Sequence, residues 1–329
     1  AMILNCKASD LIFTSGATES NNLAIKGTAL GYQKHRNHII TSASEHKSVL
    51  DTCKYLESLG FKITYLRPDR QGQLNLDCIL AALTDDTLLV SLMHVNNETG
   101  VIQDIDLIAH ALKDKDLFFH VDASQSAGKI KIDLTKTPVD MLSLSAHKFY
   151  GPKGIGSLYI RNRKQHIVTP LLHGGGQEYG LRAGTLPTHQ IIGMGCAFKR
   201  AHDLMLNDYH TNKHLADLLC AQLTQLDGVH FNGDQHHKLP SIINVSFDHV
   251  SADSLMIALR NELAIASGSA CNSGTIEASH VLRSMGIEGD RLYGAVRISF
   301  GRYTTKIDIQ QAGRRICEEV TRLRQLALE

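Results

Sequence analysis

Short apolar runs alternate with longer amphipathic stretches through the first half of the chain. The apolar runs predict seven β-strands, at residues 11–14, 38–42, 62–66, 88–94, 117–122, 141–145 and 156–160. Helical spacing of apolar residues fills several intervals between them, including residues 21–34 and 48–59. Strands that alternate with helices are typical of a mostly parallel sheet covered on both faces. We therefore expect an α/β fold with a mostly parallel seven-stranded sheet.

The pattern changes in the second half of the chain. A long polar helix is predicted at about residues 186–226, and two further strands near residues 241–247 and 296–300. The last helix repeats apolar residues with a period close to 3.6, at Ile309, Ala312, Ile316, Val320, Leu323 and Ala327. We expect a large domain at residues 1–204 and a smaller α+β C-terminal domain at residues 205–329.

Polar clusters follow five of the predicted strands. They read GATESNN, SEHKS, HVNNETG, DASQ and SAHK. Ligands of open α/β sheets bind at the carboxyl ends of the strands. Five polar clusters at five strand ends therefore predict one binding site at that edge of the sheet.

Composition excludes several classes of function. Among 329 residues, 34 basic and 33 acidic side chains nearly balance, which gives no electrostatic basis for binding nucleic acid or an anionic membrane. No run approaches the ~20 apolar residues that a membrane span needs, and the first ten residues lack the features of a secretory signal. Seven cysteines without a CxxC pair argue against a disulfide framework or a zinc site, and predict a reducing, cytoplasmic compartment. Most of the 18 histidines stand singly, so no metal site is expected.

Asp122 and Lys148 are the strongest indication of chemistry. An acid at the end of an apolar strand, followed by a lysine in a small-residue turn, is a typical arrangement for holding pyridoxal phosphate. The lysine forms a Schiff base with the aldehyde, and the carboxylate keeps the pyridine nitrogen protonated. An ordinary surface lysine near a buried N-cap aspartate is the alternative. His147 and Ser145 beside the lysine favour the cofactor.

Eight longer motifs carry a family resemblance across essentially the whole chain: FTSGATESNNLAIKG, SEHKSVLDTC, HVNNETGVIQDI, HVDASQSAGK, SLSAHKFYGPKGIG, HGGGQEYGLRAGTLPTHQ, ASGSACNSG and RISFGRYTT. With them the chain resembles the NifS/IscS-type cysteine desulfurases of the class-V aminotransferase family, which are pyridoxal-phosphate enzymes of fold type I. The resemblance implies that sulfur is removed from L-cysteine, giving L-alanine and an enzyme persulfide. It also implies delivery of that sulfur to an iron–sulfur scaffold protein and to other sulfur-acceptor proteins.

The resemblance assigns a role to each residue of the predicted site. Backbone amides of Ala17 and Thr18, at a helix start, are expected to face the phosphate. His46 is expected to be catalytic, stacking on the ring and moving protons. The other expected cofactor contacts are Asn97 and Gln125 near the ring's 3-oxygen, and Ser145 and His147 at the phosphate. Thr185 is expected to reach the phosphate of the neighbouring subunit, which implies a homodimer with sites at the interface.

Cys271 and Arg297 are the residues expected to meet the substrate. Cys271 lies in ASGSACNSG, whose small residues predict a loop from which a thiolate can attack the substrate sulfur; an incidental exposed cysteine is the alternative. The other six cysteines are expected to be small buried hydrophobes. Arg297 is expected to bind the substrate carboxylate, with Asn97 near the substrate and Arg182 orienting the interface loop. Structural salt bridges are the alternative for both arginines.

Three functions remain open at this stage. The first is an active cysteine desulfurase, and the second is a selenocysteine lyase-like enzyme or an aminotransferase on the same fold. The third is an inactive, truncated desulfurase that acts as a binding subunit. The third rests only on the start of the chain, because members of the family are expected to begin several tens of residues earlier; they are also expected to carry a C-terminal extension. Residue 1 is expected to fall inside a helix.

Overall fold

A seven-stranded sheet organises the first half of the molecule. The computed structural model describes residues 1–267 and 278–327. The strands are β1 Leu11–Thr14, β2 His38–Ser42, β3 Lys62–Leu66, β4 Thr87–Met93, β5 Phe118–Asp122, β6 Met141–Ser145 and β7 Gly156–Ile160. Their order across the sheet is β1-β7-β6-β5-β4-β2-β3.

Strand direction determines where a ligand can bind. The neighbours from β3 across to β6 pair in parallel, whereas β7 is antiparallel to both β6 and β1. Strand β1 therefore runs in the same direction as β6, and every strand of this sheet except β7 ends at the same edge. The prediction of an α/β fold with a mostly parallel sheet is confirmed.

Both faces of the sheet are buried, which explains the unbroken apolar runs. Successive side chains of a strand point to opposite faces. Ile40 and Val90 accordingly belong to one apolar cluster, and Ile39 and Leu89 belong to the other. The covering helices are α1 Ala17–Asn22, α2 Thr28–Tyr32, α3 Lys47–Ser58, α4 Leu76–Ala81 and α5 Ile105–Leu112.

The first helical segment begins earlier than its apolar periodicity predicts, at the helix start expected for Ala17 and Thr18. It begins at Ala17 rather than residue 21, with Gly16 as the N-cap and no side-chain cap. A π-helical turn, Leu23–Gly27, joins α1 to α2, which ends at Tyr32. Apolar periodicity could not locate this start, because the first turn is polar and its cap is a glycine.

The backbone forms a second compact unit, made of Arg67–Gln73, Asn96–Ile102 and the described residues from Leu206 onward. Helix α6, Thr188–Leu223, enters this unit from the first. Its antiparallel sheet has the order β10-β11-β9-β8 and consists of β8 Val229–Phe231, β9 Ile242–Phe247, β10 Ala266–Ser267 and β11 Ala295–Ser299. The remaining helices are α7 Ala252–Leu259, α8 His280–Ser284, α9 Gly289–Tyr293 and α10 Lys306–Leu326.

The apolar stripe of α10 supplies part of the core of the second unit. Ile309, Ile316 and Val320 are buried in it. The stripe was predicted to continue to Ala327, and this is wrong, because the helix ends at Leu326 and Ala327 is exposed. In the part of the chain that the structure describes, no helix combines the length and apolar character of a membrane span.

Candidate active site

Asp122 and Lys148 lie at the ends of two adjacent strands, at the carboxyl edge of the large sheet. Asp122 is the last residue of β5 and pairs with Ser143 of β6. Lys148 follows β6 in a single 3₁₀ turn, Ala146–Phe149. The acid is buried, and the lysine is half-buried. The two residues that the sequence singled out therefore flank one position at the strand ends.

The carboxyl group of Asp122 accepts hydrogen bonds on both oxygens. Its Oδ1 accepts from the backbone N–H of Ser124 at 2.8 Å and from the Ser124 hydroxyl. Its Oδ2 accepts from Nδ2 of Asn21 at 2.7 Å. Among the described residues, the side chain of Asp122 therefore has three donors as partners, which suits a group that accepts hydrogen bonds.

Asn21 links Asp122 to His46, a connection that the sequence analysis did not find. Besides Asp122, Nδ2 of the fully buried Asn21 donates to Oγ of Ser48 at 2.9 Å. Ser48 Oγ in turn lies 2.9 Å from Nδ1 of His46, and the backbone N–H of Ser48 donates to the same nitrogen at 3.1 Å. Because Nδ1 accepts this backbone hydrogen bond, the neutral ring carries its proton on Nε2.

Of the predicted phosphate-binding residues, Ser145 lies beside the N-cap of α1, since a Cβ on Gly16 would be 3.7 Å from its Oγ. Gly16 approaches β7 so closely that a Cβ on Gly156 would lie 2.6 Å from its Cα. Ser145, at the end of β6, places its Oγ 3.0 Å from Nδ1 of His147. Burial, followed by the charges of Lys148, Lys153 and Lys129, lowers the pKa of His147. Helix-start amides, a hydroxyl and a neutral imidazole form a suitable donor set for an anion.

Gln125 is held by Lys129, the second contact that the sequence analysis missed. Nζ of Lys129 donates to Oε1 of Gln125 at 3.0 Å. Burial, and then the positive charge of Lys148, lower the pKa of Lys129 to about 8. In the sequence, the only indication of this contact is that Lys129 lies four residues after Gln125.

Thr185 lies on a loop that is fixed to the start of α1. Nε of Arg182 donates to Oε1 of Glu19 at 2.9 Å, and both side chains are mostly buried. Burial raises the pKa of Glu19, but hydrogen bonds from Arg182 and Ser15 lower it more, so the pKa lies below its ordinary value. Thr185 itself is exposed in the single chain.

The second unit brings Asn97 and Arg297 together. Nη1 of Arg297, on β11, donates to the backbone carbonyl of Asn97 at 3.0 Å. Arg297 also pairs with Ala266 of β10. Cys271, which follows β10 in the sequence, lies outside the described residues. Later in the sequence, the hydroxyl of Ser279 donates a hydrogen bond to the carboxylate of the buried Glu98, the residue after Asn97.

The expectation for the other cysteines is partly wrong. Cys53 is buried, and Cys6, Cys220 and Cys317 are half-buried, but Cys78 and Cys196 are exposed. Cys78 lies on α4 and Cys196 on α6. The spacing of apolar residues did not predict which face of these helices is exposed. Within residues 1–267 and 278–327, no three His, Cys, Asp or Glu side chains form a group that could hold a metal ion.

Comparison with known proteins decides the family. Residues 1–312 match the family model "Aminotransferase class-V". The chain belongs to the aminotransferase class-V family. This class-V chain is 48% identical over 327 residues to "Cysteine desulfurase IscS" of Buchnera aphidicola subsp. Baizongia pistaciae, covering 99% of the chain and 81% of the relative. It is 49% identical to the protein of the same name from Vibrio vulnificus, with the same coverage.

Solved structures agree with this assignment. A "NIFS-LIKE PROTEIN" superimposes with a TM-score of 0.91 at 36% identity, covering 98% of the class-V chain and 85% of the neighbour. A second neighbour, "SspA in complex with cysteine", gives 0.81 at 38% identity, with 93% and 85% covered. Class-V desulfurases of this kind use pyridoxal phosphate, so the cofactor class predicted from Asp122 and Lys148 agrees with the family.

Proposed function

We propose that this class-V protein is a cysteine desulfurase in which Lys148 binds pyridoxal phosphate and Cys271 receives the sulfur of L-cysteine. The observation that carries the proposal is the buried Asp122 carboxylate, surrounded by three donors and one strand away from Lys148. A buried acceptor at this position suits a protonated pyridine nitrogen. The desulfurase names of relatives at 48–49% identity support the reaction.

The residues of the first unit suit the cofactor on chemical grounds. Pyridoxal phosphate needs an amine, an acid for the ring nitrogen, donors for the 3-oxygen and a pocket for the phosphate. Lys148, Asp122 and Gln125 supply the first three. The start of α1, with Ser145 and His147, supplies the pocket. When bound, the cofactor would withdraw electrons from the α-carbon of the amino acid.

The side chains of the enzyme then bind the substrate and move its protons. Arg297 is proposed to bind the α-carboxylate, because a guanidinium matches a carboxylate with two parallel hydrogen bonds. Among the described residues, the one hydrogen bond of its side chain is to the carbonyl of Asn97. Lys148 is proposed to remove the α-proton once the substrate has displaced it, and His46 to donate from Nε2.

Sulfur transfer balances without a further reactant. The thiolate of Cys271 forms a bond to the sulfur of the substrate as the carbon–sulfur bond of the substrate breaks. The electron pair of that bond stays with the carbon skeleton, which takes up protons and leaves as L-alanine. L-cysteine and an enzyme thiol thus give L-alanine and an enzyme persulfide.

The wider setting is also proposed. Exposure of Thr185, on a loop fixed by the Arg182–Glu19 ion pair, suits contact with the cofactor phosphate of a second copy in a homodimer. We place the protein in the cytoplasm, where seven cysteines stay reduced. An iron–sulfur scaffold and other carrier proteins would accept the persulfide sulfur.

Mass spectrometry of the enzyme after incubation with L-cysteine tests the sulfur acceptor. We expect one additional sulfur atom on the peptide that contains Cys271, and no sulfide or alanine turnover from Cys271→Ser. Cys78→Ser and Cys196→Ser remove exposed thiols and serve as matched controls with normal turnover. Sulfur on another cysteine, with normal turnover by Cys271→Ser, would reject the assignment.

A further inference from the structure

Lys129 is a half-buried cation that forms no ion pair with a described carboxylate; its side-chain hydrogen bond goes to a neutral group. It lies in the turn after β5, where its backbone N–H donates to the carbonyl of Ser126 at 2.9 Å. Within the described ranges, the side-chain hydrogen bond of Lys129 goes to the neutral amide oxygen of Gln125. Its charged neighbour Lys148 carries the same sign, so it does not compensate the charge of Lys129. An enclosed cation is costly unless an anion lies close to it.

The hydrogen bond between Lys129 and Gln125 also orients an amide. A lysine ammonium group has three donors and no acceptor. Because Nζ lies 3.0 Å from Oε1, the carboxamide of Gln125 is held with its oxygen toward the lysine. Its NH₂ group is therefore directed away from Lys129. Without Lys129, the carboxamide of Gln125 could rotate, so that either its oxygen or its NH₂ group would face the cofactor.

The cofactor of the proposed function can supply an anion close to Lys129. Pyridoxal phosphate carries negative charge on its phosphate and on its ionised 3-oxygen. We propose that Lys129 is a positioning residue for this cofactor: it fixes Gln125 so that the NH₂ group donates to the 3-oxygen, and its charge balances the anionic ligand. This inference rests on the proposed function, but it concerns a residue to which neither the sequence motifs nor the relatives assign a role.

The pH titration of the visible absorbance of the cofactor-loaded protein tests the inference. The group that titrates is the proton shared between the Lys148 nitrogen and the 3-oxygen. Lys129→Met removes a nearby positive charge and frees the Gln125 amide, and both changes make this proton harder to remove. The titration midpoint should therefore rise by about one pH unit. Lys129→Arg keeps the charge and the donor and should restore most of the original midpoint.

Lys153→Met is the matched control for net charge. Lys153 is exposed and also acts on His147, but it donates no side-chain hydrogen bond to Gln125. Its replacement should leave the midpoint within a few tenths of a unit. An unchanged midpoint in Lys129→Met, or an equal shift in both methionine variants, overturns the positioning role. A wild-type protein without a visible band would instead reject the proposed function.

A second measurement needs no cofactor. In cofactor-free protein with ¹⁵N-labelled glutamine side chains, the Gln125 amide signal is the one lost in Gln125→Glu. We expect that signal to move or broaden in Lys129→Met and to stay in place in Lys153→Met. An unmoved signal in Lys129→Met overturns the claim that Lys129 orients the amide, whether or not the protein binds pyridoxal phosphate.

Discussion

The enclosed charge of Lys129 should make the stability of the cofactor-free protein depend on pH in a specific way. Folding lowers the pKa of this lysine from 10.5 to about 8. Between these values the unfolded chain holds more protons than the folded one, so the free energy of unfolding rises with pH. Below pH 8 the full cost of enclosing the charge is present.

Lys129→Met removes both the cost and the hydrogen bond to Gln125. Lowering the pKa from 10.5 to about 8 corresponds to at most about 3.4 kcal/mol, and partial contact with water reduces this cost to about 2 kcal/mol. The lost hydrogen bond is worth about 1 kcal/mol. The variant should therefore be more stable than wild type by about 1 kcal/mol near pH 7. Above about pH 10 it should be less stable by a similar amount, because only the lost hydrogen bond remains.

Urea unfolding of the cofactor-free proteins at about pH 7 and about pH 10 measures the difference, since solvent effects common to both proteins cancel. Lys153→Met, at an exposed position, should show no such reversal. A difference between wild type and Lys129→Met that keeps one sign and one size at both pH values would refute the reasoning.

Three further perturbations address separate parts of the site. Arg297→Lys should raise the KM for L-cysteine about 10- to 100-fold with a smaller effect on kcat, because one fork of two charge-assisted hydrogen bonds is lost; an unchanged KM would exclude Arg297 from carboxylate binding. Asn21→Leu removes a donor from Asp122 and should weaken pyridoxal phosphate binding about tenfold, measured by equilibrium titration of the visible band; equal affinity would contradict it. Arg182→Met leaves the enclosed Glu19 without its partner and should lower the urea midpoint, an effect absent if the ion pair contributes nothing.

The pattern of apolar runs was sufficient to predict the large sheet. Strands β1, β2, β3, β6 and β7 have the predicted ends, because short segments rich in apolar and β-branched residues stand between polar turns. The same logic located the polar clusters, since parallel strands end at one edge. The sequence alone therefore indicates that Asp122 and Lys148 belong to one site.

The contacts that support those residues could not be predicted. Asn21 and Asp122 lie 101 positions apart, and nothing in either local sequence indicates that they meet. Ser48 reads simply as a residue in the first turn of a helix, yet it joins Asn21 to His46. Such contacts depend on how helices pack on the sheet, which periodicity does not specify.

The visible absorbance spectrum of the purified chain with pyridoxal phosphate, before and after L-cysteine, tests the central claim most directly. We predict a visible band that changes on adding L-cysteine, with L-alanine and enzyme-bound sulfur formed in equal amounts. The band should be absent in Lys148→Ala and present in Lys153→Ala. A wild-type protein that develops no band, or a Lys148→Ala protein that keeps the same band and turnover, would contradict the account.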